Sequence, residues 1–482
     1  MPTWLKRTLI TIASVVVVLF AVIVGALLYT NLPSNGAGMA AKAVCSATFV
    51  AGREDQPVFE QDVLPASPAF AVISTDTDLE TKSVTGKFLG LFERRASLLP
   101  DRGCVLDEEP DPAAQPYSPA PPDPAQWPEG DATVPKAEWP AGVKAGELES
   151  VVDQAFEGAG NPDGVNARGV SVVQDGKMLL AREAENYPEG TALHGWSMTK
   201  TVAAMLFYKK AQEIGLDIQT PVVDAFPADR TPEWVAQWRE DERAQITVAD
   251  LLFMRAGLDL DESYQPWGQV VQMLNGEPNM AAWAAEHELS NPPGTFWEYS
   301  SAVSNILAQV TQMQFEDDAE YWQDPYTSLF DKIGATSATL ETDTFGTWVG
   351  SSYLWASVRD WARFGQVMLD DGEWDGEQVI PTGWLELAST PAMPTGEGHG
   401  YGAQTWLPGE SDGGECADTA GFPKDTVSME GHWGQIVAMV PSKNAVISRL
   451  GWTINSSDFD GCKFVADVAA TLPDSSRSRG SN

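Results

Sequence analysis

The sequence predicts a mixed α/β protein of the α+β kind, in which helices flank an antiparallel sheet. A helical subdomain and one N-terminal transmembrane helix complete the predicted architecture. Strand hairpins are indicated near both ends of residues 143–475, helical segments fill residues 220–340, and residues 8–30 are almost wholly apolar. Strands from the two ends of a domain can share one sheet when the helices between them cover it.

The segment 8–30 carries no charged residue. As a helix it would span roughly 34 Å, enough for a bilayer core. Lys6 and Arg7 precede it and no basic cluster follows, which places residues 1–7 in the cytoplasm. The alternative is a cleaved signal peptide, with residues 41–43 as the cleavage site, but the apolar run is long for a signal peptide and favours the anchor. Both interpretations export the rest of the chain.

The composition excludes some partners. The chain has 68 Asp and Glu against 30 Lys and Arg, a formal net charge of −38. Such a surface repels nucleic acid and anionic lipid, so neither is a predicted partner.

The four cysteines indicate structural disulfides rather than a metal site. They form no Cys-x-x-Cys pair and have no histidine at zinc spacing, so no metal is predicted. In an oxidising compartment the simplest pairing is local, Cys45 with Cys104 and Cys416 with Cys462. The other connectivities and free buried thiols stay open at this point.

The chain after the anchor divides into three parts. Residues 31–107 form a small module with strand-like segments at 69–73 and 87–92. Residues 108–142 are rich in Pro and acidic residues, which is typical of an extended linker. The linker has an alternative course along the next domain, burying Tyr117, Trp127 and Trp139.

The larger domain, residues 143–475, contains two hairpins and several helices. An Asp-Gly turn at 175–176 joins the first hairpin. The predicted strands are 169–173, 178–180, 435–440 and 445–450, and the predicted helices outside 220–340 are 148–156, 352–370, 381–389 and 464–472.

The strongest chemical signal is the pair Ser197 and Lys200 at the start of an apolar run. Residues three apart share one helix face, and the first turn of a helix disfavours a protonated ammonium. Lys200 is therefore expected to take the serine proton, which makes an activated nucleophile without histidine. An exposed helix start with a solvated lysine is the plain alternative, but this is the only Ser-x-x-Lys in the chain.

Tyr299 is the second candidate. A loop at Pro292-Pro293-Gly294 delivers it just before a predicted helix. A phenol has a pKa near 10, and a cationic lysine beside it would ease its ionisation, so that it shuttles a proton to the leaving group. The alternative is a packed aromatic side chain.

The third candidate is the segment 431–435, which leads into the last hairpin. A strand edge can offer a backbone N–H to an oxyanion, together with that of Ser197. His432 would then point at the substrate or at Tyr299, unless it is a structural histidine.

The order Ser-x-x-Lys, Tyr-Ser, His-x-Gly resembles the serine hydrolases related to class C β-lactamases and penicillin-binding proteins, a group that includes esterases and 6-aminohexanoate-dimer hydrolases. Segments 246–252, 256–258, 355–365 and 400–402 are also similar to segments of that family. The resemblance covers about residues 145–472 and implies a β-lactamase/transpeptidase-like fold.

By this resemblance Ser197 is the nucleophile, Lys200 its activating base and Tyr299 the second acid or base. The oxyanion donors implied are the backbone N–H groups of Ser197 and Gln435. The residues expected around the substrate and the oxyanion are Trp196, Ser301, His432, Gly434 and Gln435.

Two departures from the family pattern bear on the substrate. His432-Trp433-Gly434 stands where the penicillin-recognising enzymes carry Lys-Thr-Gly, and Ser301 stands where the family usually has Asn. A neutral imidazole attracts a carboxylate less than an ammonium does. The departures favour esters or small amides over β-lactams.

The sequence thus predicts a serine hydrolase that cleaves a carboxylic ester or small amide through an acyl-Ser197 intermediate, with no cofactor. One alternative is a D-Ala-D-Ala carboxypeptidase or β-lactamase. Another is a non-catalytic, membrane-tethered binding protein on a hydrolase fold, against which the intact Ser, Lys and Tyr argue. The predicted location is a bacterial inner membrane with the catalytic body in the periplasm, and the oligomeric state stays open.

Overall fold

The structure is a computed structural model, and it describes residues 2–29, 31–116, 123–157, 165–409 and 416–475. The helices of these residues are α1 Thr3–Tyr29, α2 Leu32–Cys45, α3 Asp55–Val58, α4 Ala145–Ala155, α5 Thr199–Ile214, α6 Trp234–Trp238, α7 Val248–Leu252, α8 Gln269–Gly276, α9 Met280–Ala285, α10 Ser301–Gln312, α11 Asp318–Pro325, α12 Val358–Leu369, α13 Trp384–Ala388 and α14 Gly461–Thr471. The strands are β1 Ile73–Asp78, β2 Ser83–Phe88, β3 Phe92–Leu99, β4 Gly103–Leu106, β5 Ala167–Gln174, β6 Lys177–Glu183, β7 Leu193–His194, β8 Thr339–Leu340, β9 Leu354–Ala356, β10 Glu373–Trp374, β11 Glu377–Gln378, β12 Val427–Gly431, β13 Gln435–Val440 and β14 Ala445–Gly451.

The central sheet joins the two ends of the larger domain, as predicted. Its strand order is β12-β13-β14-β5-β6, and every neighbouring pair is antiparallel. The first hairpin, β5 and β6, therefore lies beside the last, β13 and β14. Because β14 pairs along β5, the C-terminal strands are held against the N-terminal strands of the same domain.

Both faces of this sheet are buried. Along β13, Ile436 and Ala438 pack in one apolar cluster with α4 and α14, whereas Val437 and Met439 pack in the main core with α12. Successive side chains of a strand point to opposite faces, so the sheet lies between two helical layers. Helices α5 to α11 extend the main core on the α12 side.

The predicted helix over 352–370 is wrong at its N-terminal end. Residues Leu354–Ala356 are strand β9, which pairs with β7 and β8. The helix begins only after Ser357, whose Oγ accepts a hydrogen bond from the backbone N–H of Asp360 at 3.1 Å. A serine N-cap ends the extended backbone at that point.

The N-terminal module is a four-stranded antiparallel sheet, β1-β2-β3-β4, covered by α2. The disulfide Cys45–Cys104 ties α2 to β4, and the second disulfide joins Cys416 to Cys462, the local pairing that the sequence favours. The predicted strands at 69–73 and 87–92 are misplaced. The first is mainly a 3₁₀ turn, and the second crosses the turn between β2 and β3.

The linker follows its alternative course where it is described. Trp127 is buried against Trp374, with ring centroids 5.6 Å apart. Arg363 on α12 donates hydrogen bonds to the carbonyl of Gly130 and to the carboxylate of Asp131. Residues 117–122, including Tyr117, lie outside the described residues.

Helix α1 covers most of the predicted anchor. Its described apolar side chains, among them Leu9, Ile12 and Val15, are exposed, and the side chains at 20–24 and 26–29 lie outside the described residues. Among the described residues, no helix has the length and apolar character required to cross a membrane. The helix is observed, but the predicted transmembrane span is not shown, and anchoring stays a prediction from the sequence.

Candidate active site

The nucleophile segment, which we define as residues 195–200 around the predicted nucleophile Ser197, leaves the short strand β7 through a strained turn. Gly195 packs against Trp361 so closely that a Cβ atom there would lie 2.0 Å from the indole ring, which excludes any side chain. Trp196 follows with a φ of 49°, a left-handed conformation that costs a bulky residue on the order of 1–3 kcal/mol. Ser197 lies in the 3₁₀ turn Trp196–Met198 that leads into α5. The turn places its hydroxyl and N–H at the helix start, where the first N–H groups have no partner within the helix.

Lys200 lies one turn into this segment, and its ammonium group is buried. The Nζ atom is 3.0 Å from Ser197 Oγ, 2.9 Å from Ser301 Oγ and 3.1 Å from the carbonyl oxygen of Ser351. Burial lowers the pKa of Lys200 to about 8, and the charge of Glu262 opposes this shift. A neutral amine can donate to Ser301 and Ser351 while its lone pair accepts the proton of Ser197.

Tyr299 lies just before α10, and its ring is under the lysine, with Nζ 4.7 Å from the ring centroid. Its hydroxyl interacts with Ser197. The expectation that Lys200 eases its ionisation is wrong. Burial raises the pKa of Tyr299 well above 10, and the nearby Tyr401 and Glu262 raise it further. The interaction with Ser197 lowers the pKa but does not offset these effects. The phenol is therefore a protonated donor at neutral pH.

Two residues that the sequence analysis missed complete this cluster. The hydroxyl of Tyr264 interacts with Ser301 and Ser197, and burial raises its pKa. The carboxylate of Glu262 accepts the backbone N–H of Ser301 at 2.7 Å and its hydroxyl at 2.5 Å. Both lie between α7 and α8 in a loop with no recognised motif, so only the tertiary structure places them at Ser197.

Ser301 has a different position from the one expected. It is fully buried between Lys200 and Glu262, so it belongs to the hydrogen-bond network behind the nucleophile. It does not line the catalytic cavity described below. The expectation that Ser301 lies around the substrate and the oxyanion is not supported.

His432 faces Tyr264 rather than Tyr299. The two rings are stacked, with centroids 4.2 Å apart and planes inclined by 10°. Burial lowers the pKa of His432 to about 4, so the imidazole is neutral at physiological pH. The rings of His432 and Trp196 also pack in a T-shaped arrangement, with centroids 5.5 Å apart.

Gln435 does not have the geometry of an oxyanion donor. It lies opposite Gly431 in an interior strand, and Ser428 exchanges both backbone hydrogen bonds with Trp406 on the outer edge of β12. Because hydrogen-bonded and non-bonded pairs alternate along an antiparallel ladder, Gly431 and Gln435 form a bonded pair, which uses the Gln435 N–H. The predicted oxyanion role of Gln435 is wrong.

The side chains at this turn are structural. The amide of Gln435 bonds both the carbonyl and the N–H of Gly451, at 2.7 and 2.8 Å. The carbonyl of Gly434 accepts a hydrogen bond from Arg449 at 2.7 Å. Gly431 packs directly on the nucleophile segment, since a Cβ there would lie 2.3 Å from the carbonyl oxygen of Gly195. The end of β12 thus lies next to Ser197.

A cavity of about 790 Å³ opens at Ser197. Tyr264, Tyr299 and Trp406 line one side, and the β12–β13 turn lines another. Glu430 and Asp460 contribute carboxylates, and the described lining contains no Lys or Arg. Uncharged or cationic substrates are therefore favoured over anionic ones.

The family model described as Beta-lactamase matches residues 151–461, which is more than half of the chain. The matched range contains the Ser197, Lys200 and Tyr299 cluster.

Individual proteins agree with this match. A curated relative, the 6-aminohexanoate-dimer hydrolase of Paenarthrobacter ureafaciens, is 25% identical over 252 residues, which cover 46% of this chain and 59% of the relative. The chain thus spans less than two thirds of the length of that relative. A family VIII carboxylesterase structure is similar with a TM-score of 0.51 and 13% identity, covering 68% of this chain and 97% of the other. A penicillin-binding protein homologue from Caulobacter crescentus is similar with a TM-score of 0.50 and 13% identity, covering 71% of this chain and 99% of the other. At these identities the two structures show a shared fold.

Proposed function

The chain belongs to the Beta-lactamase family, and from this membership we propose that it is a serine hydrolase that cleaves a carboxylic ester or small amide through an acyl-Ser197 intermediate. The observation that carries the proposal is the buried contact of 3.0 Å between Lys200 Nζ and Ser197 Oγ. A lysine with a pKa of about 8 is neutral in a useful fraction of molecules at physiological pH.

In the acylation step, neutral Lys200 accepts the hydroxyl proton as Ser197 Oγ attacks the carbonyl carbon. Tyr299, still protonated, donates its proton to the leaving oxygen or nitrogen as the bond to the carbonyl carbon breaks, and it regains a proton from Lys200. Water then attacks the acyl-enzyme, with the same groups moving protons in reverse, and releases the carboxylic acid.

The oxyanion of the tetrahedral intermediate lies at the helix start. The backbone N–H of Ser197 points from the first turn of a helix, where the dipole favours negative charge. The outer edge of β12 is the source of the second donor, because its end packs on Gly195.

Esters and small amides are favoured over β-lactams because the cavity is poor in positive charge. His432 is neutral, and the described lining carries Glu430 and Asp460 without a Lys or Arg. A β-lactam or peptide carboxylate would meet repulsion there. The names of the 6-aminohexanoate-dimer hydrolase relative and of the similar carboxylesterase structure support the same substrate class.

A location outside the cytoplasm is part of the proposal. Two disulfides support it, since such bonds persist in oxidising compartments, and the apolar segment 8–30 supports export. Fractionation of cells that express the full chain or residues 31–482 tests the anchor. Recovery of the full chain in the soluble fraction would argue against it.

The catalytic proposal is tested with a fluorophosphonate probe. We expect a covalent adduct on Ser197, located by peptide mass spectrometry, and no adduct in Ser197→Ala. Hydrolysis of short-chain nitrophenyl esters should exceed hydrolysis of a chromogenic cephalosporin. A folded protein that neither reacts with the probe nor cleaves any ester or amide would contradict the proposal.

A further inference from the structure

A second cavity, of about 450 Å³, lies between the N-terminal module and the larger domain. One wall is a stripe along α2 formed by Leu32, Gly36, Met39 and Ala43, spaced four, three and four residues apart. Residues at this spacing share one helix face. The other face of α2 is buried in the module, so the stripe is the part of α2 left unpacked.

Aromatic side chains from both parts of the chain form much of the remaining wall. The module contributes Phe70 and Phe88, and the larger domain contributes Tyr353, Trp355 and Trp452. A stripe from residue 32 to residue 43 is roughly 16 Å long in a helix. A volume of 450 Å³ along such a wall describes a long, narrow chamber.

Charged groups at the chamber wall are satisfied within the protein. Glu341 is paired with Lys42 at 2.7 Å and accepts hydrogen bonds from Ser46 at 2.8 Å and from the indole of Trp355 at 3.0 Å. Asp62 is paired with Arg168. These groups are engaged by protein partners, so the chamber offers an occupant an apolar surface.

The chamber adjoins the catalytic cavity. Tyr264, His432, Trp433 and Ile454 line both spaces, and the stacked Tyr264–His432 pair stands between them. Trp196, the neighbour of the nucleophile, lines the chamber. Its buried indole N–H has no partner among the described residues, which leaves a donor for a polar atom at the reactive end.

We infer that this chamber binds an unbranched aliphatic chain of the substrate and that the N-terminal module thereby sets chain-length selectivity. The inference rests on the proposed hydrolase function and deepens it. An ester whose carbonyl lies at Ser197 would extend its chain past Tyr264 and His432 along α2. The chain would bury its methylene groups in a site shaped partly by a module outside the family match at 151–461.

The test is a chain-length series on the full-length protein. Burial of one methylene group is worth about 0.8 kcal/mol, which converts to a factor of about four. We expect kcat/KM to rise by up to about fourfold per methylene from acetate to octanoate, and by at least tenfold in total. Nitrophenyl alkanoates vary the acyl chain and alkyl acetates vary the alcohol chain, so the series that rises identifies which chain enters the chamber.

The matched variant is Ala43→Phe, which fills the chamber from the α2 stripe. We expect at least a tenfold loss of kcat/KM for octanoate and less than a twofold change for acetate. Ala236→Phe, at an exposed position on α6, is the control and should change neither. If Ala43→Phe does not fold, Met39→Trp on the same stripe replaces it.

Direct binding separates this inference from the hydrolase proposal. In Ser197→Ala, 1-decanol, an uncharged probe, should shift the fluorescence emission of the tryptophans that line the chamber, and Ala43→Phe in that background should abolish the shift. Binding without hydrolysis of any ester would keep the chamber and overturn the hydrolase. A flat chain-length profile, with hydrolysis that Ala43→Phe leaves unchanged, would overturn the chamber and keep the hydrolase.

Discussion

In the proposed mechanism, the burial of Lys200 sets the pH range in which Ser197 acts as a nucleophile. The desolvated ammonium loses its proton near pH 8, and only the neutral amine accepts a proton. We expect kcat/KM to rise with pH to half of its maximum near pH 8 and to level off above that. Initial rates between pH 6 and 10 measure this, and activity that falls across the same range would contradict it. Lys200→Arg keeps a permanent cation and should lose about 10³-fold in kcat.

The charge of Glu262 changes the pKa of Lys200. Its negative charge raises the pKa of Lys200 against the effect of burial. In Glu262→Gln the charge is gone, so the pKa of Lys200 falls and the rising limb of the pH profile moves to lower pH. Glu286→Gln, at an exposed site, serves as the control and should leave the limb in place. An unmoved limb in Glu262→Gln would show that the carboxylate has only a structural role.

Tyr299 supplies a proton that no neighbouring tyrosine replaces in the proposed mechanism. The Tyr299 hydroxyl interacts with Ser197. Its removal in Tyr299→Phe should therefore lower kcat by about 10²- to 10⁴-fold, with KM nearly unchanged. The matched control is Tyr401→Phe, whose ring lies 5.8 Å from that of Tyr299. Equal losses in both variants would mean that the effect comes from packing.

At the scale of elements, a buried carboxylate of the larger domain, Glu341, helps to fasten the N-terminal module, beside the buried pair of Asp62 and Arg168. Glu341 is fully buried and holds Lys42, Ser46 and the backbone N–H of Cys104 from the module. Trp355 from the larger domain binds the same carboxylate. The chamber wall on α2 therefore depends on this contact.

Replacing Glu341 with Gln leaves Lys42 buried without a counter-charge. Loss of one partner of a buried ion pair costs about 3–5 kcal/mol, so we expect the free energy of unfolding to fall by that amount in urea titration. Glu93→Gln removes an exposed partner of Lys87 and should change stability by less than about 1 kcal/mol. Equal stability of the two variants would refute the fastening role.

Parts of these elements were predictable and parts were not. The hairpins around residues 175–176 and 441–444 were predicted because turn residues and strand patterns are local. Helix α2 was not predicted. Its run of Gly and Ala has no polar face to mark it as amphipathic, and its helical state depends on the sheet of the module that it covers.

At the scale of the whole molecule, one sheet draws together strands that lie more than 250 residues apart in the sequence. That closure brings the β12–β13 turn to the nucleophile segment near the start of the domain. The module then covers one side of the joined site and closes the chamber. The β12–β13 turn, the nucleophile segment and the module are far apart in the sequence. In the structure they lie together around the proposed substrate site.

The sequence by itself predicted the candidate reactive groups, since the spacing of Ser197 and Lys200 is a property of one helix turn and the loop at residues 292–294 positions Tyr299 before α10. It also indicated the central antiparallel sheet. Only the tertiary structure decided that burial raises the pKa of Tyr299, that the N–H of Gln435 is used within a hairpin, that Tyr264 lies at Ser197 and that Glu262 binds Ser301. Burial and charge at a site depend on which distant segments pack around it, and spacing along the chain does not contain that information.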